Sequence, residues 1–401
     1  MAAARTSGRK QQAQLTRLPI YLDYNATTPV APEVADAMQP FLHEAFGNPS
    51  SSHVYGRRAH EAVEQARAEV ALLIGARPGE IVFTGCASEA NNLALCGVAS
   101  ALQLRKRHLV VSAVEHPAVL EPALSLKAQG WEVSIVGADR HGWIDPGDVA
   151  RAVRDDTALV SIMHANNEVG TIQSIAEIAA LAHARGALMH TDAAQSPGKI
   201  AVNVDDLQVD LLTLAGHKFY ATKGIGALYV RRGTTMQPHL HGAGQEHGLR
   251  PGTENVSAIV GIGAAARVAS TSLAEHAARQ QQLRDQLHRL LEESVPDLVL
   301  NGHPSHRLPN TLNVSFPRVS GRDLLRAVDA DVAASVGSAC HSERDQVSGV
   351  LAAMGIGSQR AMGAVRISLG RFTTTDEIQR AAQALITSWM QLVACATRTP
   401  S

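Results

Sequence analysis

Short apolar runs alternate with amphipathic stretches along most of the chain. The runs are rich in Val, Ile and Leu on both faces, as strands of a parallel sheet buried on both sides require. They cover residues 81–83, 109–111, 133–136, 159–163, 186–191, 209–214 and 227–230. Helical patterns lie between them, for example at residues 57–73, where small and apolar residues form one stripe. This order predicts a doubly wound α/β domain with a mainly parallel sheet.

After about residue 265 the regular alternation of apolar runs and amphipathic stretches ends. Residues 273–293 read as a charged amphipathic helix, residues 311–316 alternate like a half-exposed strand, and residues 374–377 form a capping box that opens a last helix reaching about residue 396. We therefore expect a large domain at residues 18–265 and a smaller α+β domain at residues 266–401. Residues 1–17 are expected to be a disordered tail, and the first few residues of the large domain can pack on the small one.

Composition narrows the function classes. The 401 residues carry a net charge of −1, so no basic field indicates nucleic acid. No apolar run approaches the roughly 18 residues of a membrane span, which predicts no membrane partner. The four cysteines, Cys86, Cys96, Cys340 and Cys395, form no CxxC pair, and we expect neither a disulfide framework nor a metal site. A reducing, cytoplasmic location follows as the expectation.

Two residues stand where predicted strands end. Asp192 closes the run at residues 186–191, and Lys218 follows the run at residues 209–214. Either residue alone is typical of a helix cap or a solvated charge. In open α/β sheets, however, ligands bind at the carboxyl ends of strands. A lysine that forms a Schiff base and a carboxylate that keeps a pyridine nitrogen protonated are what a pyridoxal phosphate enzyme needs.

Further polar groups follow neighbouring strands. Residues 83–89 read as a strand, a small-residue turn and a helix start, an arrangement that can bind phosphate. His116 follows another strand and either caps a helix, is buried, or stacks on an aromatic ring. Residues 164–168 follow a third strand. These groups are expected to gather at one edge of the sheet.

With these motifs in place, the chain resembles the cysteine desulfurases of the NifS/IscS type, in the class V aminotransferase group of fold-type I pyridoxal phosphate enzymes. The resemblance runs in collinear order over about residues 20–390. It is carried by YLDYNATTP (21–29), FGNPSS (46–51), FTGCASE (83–89), VEH (114–116), NNEVG (166–170), TDAAQ (191–195), GHK (216–218), GQE (244–246), RPGTEN (250–255), VGSAC (336–340) and VRISLGR (365–371).

The resemblance implies a role for each matching residue. Lys218 holds the cofactor as a Schiff base, and Lys218 or His116 moves the substrate Cα proton. The other implied contacts are Asp192 with the pyridinium nitrogen, Gln195 with the ring 3-oxygen, His116 stacked on the ring, Ala87 (through its backbone), Ser88 and His217 with the phosphate, and Thr253 with the phosphate of a second subunit. Asn167 and Arg366 are implied to bind the substrate carboxylate, and Asn167 also the cofactor.

The implied reaction converts L-cysteine to L-alanine and leaves a persulfide on Cys340, the implied nucleophile. A homodimer and a sulfur-acceptor protein for iron–sulfur cluster or thiocofactor assembly are the implied partners. A thiol that takes sulfur and then delivers it elsewhere must travel, and the small residues at 337–339 suit a mobile loop. His341, next to Cys340, is a candidate activator of the thiol.

Some positions depart from the family pattern. Ala215 replaces the usual hydroxyl residue before GHK, Ser88 stands where threonine is common, and Cys86 is an additional thiol near the phosphate turn. The segments at 216–220 and 341–346 look more like those of selenocysteine lyase. A selenocysteine lyase therefore remains the alternative, together with a catalytically idle scaffold that only binds partner proteins.

Overall fold

The protein's structure, a computed structural model, describes residues 18–337 and 348–396. The predicted N-terminal tail, Cys340 and His341 lie outside the described residues. The strands are β1 (Ile20–Tyr21), β2 (Ile81–Thr84), β3 (His108–Ser112), β4 (Glu132–Val136), β5 (Thr157–Ser161), β6 (Leu188–Asp192), β7 (Leu211–Ala215), β8 (Gly226–Val230), β9 (Val299–Asn301), β10 (Thr311–Ser315), β11 (Val332–Ala333) and β12 (Ala364–Ser368). The helices are α1 (Pro32–Met38), α2 (Pro40–His43), α3 (Val54–Leu73), α4 (Ala87–Leu102), α5 (Pro117–Ala128), α6 (Pro146–Ala152), α7 (Ile175–His183), α8 (Val256–Ser294), α9 (Gly321–Ala327), α10 (Gly349–Ala353), α11 (Ser358–Met362) and α12 (Thr375–Ala396).

The largest sheet has seven strands in the order β2-β8-β7-β6-β5-β3-β4. The strands β7, β6, β5, β3 and β4 pair in parallel, whereas β8 is antiparallel to both β2 and β7. Apolar clusters cover both faces, one including residues of α3, α7 and α8 and the other residues of α4 and α5. The doubly wound, mainly parallel α/β prediction is confirmed, and the seven predicted runs all contain strands.

The sheet topology places the two key residues side by side. Asp192 is the last residue of β6, and the neighbouring strand β7 leads directly into a single 3₁₀ turn at Gly216–Lys218. Both side chains therefore leave the same edge of the sheet, at the carboxyl ends of parallel strands.

Helix α8 is longer than the sequence pattern predicted. It runs from Val256 to Ser294, so the expected helix at residues 273–293 is only its second half. Its apolar first half was not recognised as helix, and it makes α8 long and apolar enough to cross a membrane by length and composition alone. Because 56% of that window is buried inside the protein, where α8 packs on α3 and α1, the feature is weak evidence for a membrane span.

A second apolar core lies around the three-stranded sheet β12-β10-β9, α12 and the second half of α8. Ile20 and Leu22 belong to this core, and β1 pairs with β11. Thr374 and Glu377 form the predicted capping box at the start of α12. We propose that the chain divides near residue 265 as the sequence indicated, with the boundary inside the continuous helix α8.

The prediction of a half-exposed strand at residues 311–316 is wrong. All five residues of β10 are buried, because β10 is the central strand between β9 and β12. Its polar residues face partners rather than water: Asn313 donates to the Glu168 carbonyl at 3.1 Å, and Thr311 accepts from the Asn25 side chain at 2.8 Å. Alternation here marks a polar interface between the two parts of the chain.

Candidate active site

Most of the predicted site residues meet in one cavity of about 250 Å³ at the carboxyl edge of the large sheet. Nine of them line it: Ala87, Ser88, His116, Asn167, Asp192, Gln195, His217, Lys218 and Arg366. Cys86 and Ala215, the two departures noted near the phosphate turn, line it as well. Cys340 lies outside the described residues, and the role of each residue remains a prediction.

The Asp192 carboxylate is buried and held from two sides. Its Oδ1 accepts from the Ala194 amide at 2.9 Å, its Oδ2 accepts from Asn91 Nδ2 at 2.8 Å, and the residue is only 5% exposed. Asn91 was missed by the sequence analysis. It lies on α4 four residues after Ala87, so helical spacing from the phosphate turn could have identified it.

The Lys218 amine is anchored at the floor of the cavity. Its Nζ donates to the carbonyl oxygens of Asn25 and Ala26, both at 2.7 Å. Both acceptors belong to the segment after β1, which no strand or helix pattern connects with the sheet. The motif at residues 21–29 was the only signal for this contact.

A second lysine lies behind Gln195. Lys199 Nζ donates to Gln195 Oε1 at 2.6 Å and to Asn25 Oδ1 at 3.3 Å, while Gln195 Nε2 donates to the Asn25 carbonyl at 3.0 Å. Burial lowers the pKa of Lys199 well below its usual value, and the neighbouring cations Lys218 and Arg366 lower it further. Lys199 was not predicted from the sequence. Its position four residues after Gln195, in a segment of small and apolar residues, could have indicated a buried lysine near the site.

Both histidines of the cavity favour the neutral form. His116 caps α5 by accepting from the Ala118 amide through Nδ1 at 3.0 Å, so the capping alternative is realised at a residue that also lines the cavity. Burial lowers the pKa of His116, partly offset by Asp192. Burial, together with Lys218 and other lysines, lowers the pKa of His217 to about 4.

The turn between β2 and α4 is arranged as an anion site. Cys86 caps the 16-residue helix α4, whose first residues, Ala87 and Ser88, line the cavity. The first N–H groups of a helix lack intrahelical acceptors and carry its positive dipole end. Gly226 on β8 allows the close approach, because a Cβ there would stand 2.9 Å from the Ala87 nitrogen.

The Arg366 side chain is almost fully buried and lines the cavity. Nη2 donates to Asp23 Oδ1 at 2.6 Å and Nη1 to the Asn167 carbonyl at 3.2 Å. Its buried Nε has no hydrogen-bond partner among the described residues. A buried donor without an acceptor indicates a place for an anionic group.

Thr253 does not line this cavity within the same chain. It is exposed and lines a separate cavity of about 140 Å³ together with Thr84, Gly85 and Arg250. Its predicted contact requires a second subunit and remains a prediction.

Residues 20–381 match the family model described as aminotransferase class-V. The chain belongs to the class V aminotransferase family. It is similar to proteins named cysteine desulfurase IscS, for example that of Dictyoglomus turgidum (strain DSM 6724 / Z-1310), with 47% identity over 360 residues that cover 90% of this chain and 91% of the relative. The resemblance stated from the motifs is thereby confirmed.

Solved structures agree with the assignment of this class V aminotransferase. A NifS-like protein superposes with a TM-score of 0.87 at 37% identity, covering 92% of this chain and 99% of that one. SspA, solved in complex with cysteine, superposes with a TM-score of 0.79 at 38% identity, covering 88% of this chain and 99% of that one.

Proposed function

We propose that this class V aminotransferase is a pyridoxal phosphate-dependent cysteine desulfurase. It converts L-cysteine to L-alanine and keeps the sulfur as a persulfide on Cys340. The observation that carries the proposal is the meeting of Lys218, the buried Asp192 carboxylate and the Arg366 donor in one cavity. The cysteine desulfurase name of its relatives at 47% identity supports the same reaction.

The residues of the cavity fit pyridoxal phosphate. The start of α4 offers backbone donors to the phosphate, Asp192 would face the ring nitrogen, and Lys218 would form the covalent link. The missing hydroxyl at Ala215 removes one donor from the phosphate side. When bound, the cofactor supplies an electron sink for the substrate Cα.

The chain itself supplies the proton transfer. Lys218 Nζ lies in the cavity and is the amine that would take the Cα proton. His116 is a poorer base, since its Nδ1 already accepts from the Ala118 amide and the proton of the neutral ring then lies on Nε2. His116 is better suited to stack on the ring and to donate from Nε2.

Substrate orientation rests on Arg366. Its Nε and the edge of its guanidinium are the donors for the carboxylate of cysteine, while Asp23 and the Asn167 carbonyl hold the plane in place. A preoriented fork loses less entropy on binding than a free side chain.

The sulfur is expected to leave the substrate toward Cys340. The Cys340 thiolate attacks the sulfur of cysteine in line, so that a sulfur–sulfur bond forms and the carbon–sulfur bond breaks. The electron pair of the broken bond passes to the three-carbon fragment, which is protonated to alanine. Cys86 is the other thiol near the substrate, but it lies at the phosphate side, where its Sγ accepts from the Glu89 amide at 3.4 Å.

We propose that the enzyme works as a homodimer in the cytoplasm and passes sulfur to an acceptor protein of iron–sulfur cluster or thiocofactor assembly. Two aromatic side chains support the dimer. Phe46 and Tyr55 stack with ring centroids 5.7 Å apart although they are 67% and 54% exposed, and Leu42 and Val54, close to them in sequence, are exposed as well. Contiguous exposed apolar groups of this kind mark protein interfaces.

Turnover assays with two substrates test the function. L-cysteine should give alanine, Cys340→Ala should abolish that reaction, and Cys86→Ala should retain most of it. Turnover of L-selenocysteine alone, unaffected by Cys340→Ala, would instead assign a selenocysteine lyase. Absence of turnover with both substrates would leave the scaffold alternative.

A further inference from the structure

One buried carboxylate meets both ends of the segment that contains Cys340. Glu168 is 4% exposed and directly follows Asn167. Ser348, the first described residue after that segment, donates its hydroxyl to Glu168 Oε2 at 2.5 Å. At Gly337, the last described residue before it, a Cβ would stand only 2.7 Å from the same Oε2. The φ of Gly337 is 130°. Glycine is therefore required there both by this backbone conformation and by the lack of space for a Cβ.

The turn that carries Glu168 is fixed independently of these contacts. Asn166 Oδ1 accepts from the amides of Glu168 and Val169 at 2.8 and 3.0 Å. The Glu168 carbonyl accepts from Asn313 on β10. These contacts hold the backbone of the turn, so the Glu168 side chain starts from a fixed position.

The end before Cys340 is also attached to the substrate-binding arginine. Ser335 and Arg366 exchange two backbone hydrogen bonds, of 3.2 and 2.6 Å, and the Ser335 hydroxyl donates to the Gly337 carbonyl at 3.0 Å. On the other side, the Arg366 guanidinium contacts the Asn167 carbonyl, one residue before Glu168. The same small set of residues thus contacts the substrate position and both ends of the segment.

The position of Gly337 limits where Cys340 can go. Cys340 is three residues beyond Gly337 and eight residues before Ser348. An extended chain spans at most about 3.3–3.6 Å per residue, so any three residues span at most roughly 10–11 Å. The position of Gly337 therefore sets an upper limit to how far the backbone of Cys340 can travel.

We propose that Glu168 is a positioning residue for sulfur abstraction, because its carboxylate binds Ser348, just after the Cys340 segment, and packs against Gly337, just before it. The proposal rests on the proposed function and adds a residue to it. Glu168 touches neither the substrate nor the sulfur; it sets the anchor points from which Cys340 reaches them.

Charge and hydrogen bonding at Ser348 can be changed without losing its cap on α10, where its Oγ accepts from the amides of Val350 and Leu351. Ser348→Asp keeps a capping oxygen but sets a second carboxylate against Glu168. Ser348→Thr keeps both the cap and the hydroxyl donor and is the matched control. Glu168→Gln weakens the hydrogen bond, and combined with Ser348→Asp it removes the repulsion.

The test is single-turnover formation of the Cys340 persulfide from L-cysteine, with the Kd of L-cysteine measured on the holoenzyme by spectral titration. Ser348→Asp should slow the persulfide step by roughly tenfold or more with a change in Kd below about threefold. Ser348→Thr should match the wild type, and Ser348→Asp/Glu168→Gln should be faster than Ser348→Asp alone. An unchanged rate in Ser348→Asp, equal losses in rate and Kd, or no rescue in the double variant would overturn the proposal.

Hydrogen exchange tests the anchoring role of Glu168 independently of the proposed function. Wild-type enzyme that forms no persulfide on Cys340 would refute the function, whereas the amides of residues 338–347 can still be followed. Faster exchange there in Ser348→Asp than in wild type and Ser348→Thr is the expected result. Equal exchange in all three would overturn the anchoring role.

Discussion

At the scale of single residues, the site depends on which amine and which guanidinium face the cavity. Lys218 and Lys199 are both hydrogen-bonded to Asn25, but Lys199 uses its amine on Gln195 behind the site. We therefore predict the covalent role for Lys218, since it lines the cavity itself.

Borohydride reduction followed by peptide mapping should therefore attach the cofactor to Lys218. The Lys218→Ala protein should lose the covalent label, and Lys199→Met should retain it with weaker cofactor binding, because Gln195 loses the partner that orients its amide. A label on Lys199 or Lys223 in the wild-type protein would contradict the assignment.

Replacement of Arg366 should weaken substrate binding. Arg366→Ala removes the donors for the carboxylate and also leaves Asp23 without its ion pair. We expect the KM for L-cysteine to rise by roughly 10- to 100-fold with a smaller loss in kcat. Steady-state kinetics measure both constants; a reduced kcat at unchanged KM would mean that Arg366 acts in the chemical step instead.

At the scale of elements, the junction between β3 and α5 contains a buried carboxyl group whose ionisation destabilises the folded protein. Glu115, just before His116, is buried: its Oε1 accepts from Ser112 and from the Met163 amide, and its Oε2 has no partner among the described residues. Burial raises the pKa of Glu115 to about 8, with Asp192 adding to the shift.

The pH dependence of stability should reveal this group. Between about pH 4.5 and pH 8 the unfolded chain has lost a proton that the folded protein keeps, so the free energy of unfolding falls as pH rises. Glu115→Gln should remove that slope and stabilise the protein by about a few kcal/mol near pH 8. Urea unfolding across pH tests this, with exposed Glu121→Gln as control; parallel curves for wild type and Glu115→Gln would contradict it.

Some strands and site residues could be predicted from the sequence, and others could not. Strands such as β5 and β7 are apolar on both faces, so their burial could be predicted from their own residues. The strand β10 could not, since its Asn and Thr are buried by partners distant in sequence. Within the site, residues at strand ends such as Asp192 were predictable, whereas Asn25 and Lys199 depend on tertiary contacts that no local period encodes.

At the scale of the whole molecule, the exposed Phe46 and Tyr55 are expected to lie in a subunit interface. Phe46→Glu/Tyr55→Glu should shift the protein from dimer to monomer by light scattering, because two charges would be buried without partners. If Thr253 completes the partner's phosphate site, the monomer should also bind the cofactor more weakly. A wild-type monomer with full activity would contradict the dimer.

The proposed function depends on where the substrate sulfur goes. L-cysteine labelled with a heavy sulfur isotope, followed by alkylation and peptide mass spectrometry without reductant, locates that sulfur on the chain. We predict labelled persulfide on the peptide that contains Cys340, formed along with alanine. Label on Cys86, or alanine formed with all the labelled sulfur released as free sulfide, would contradict it.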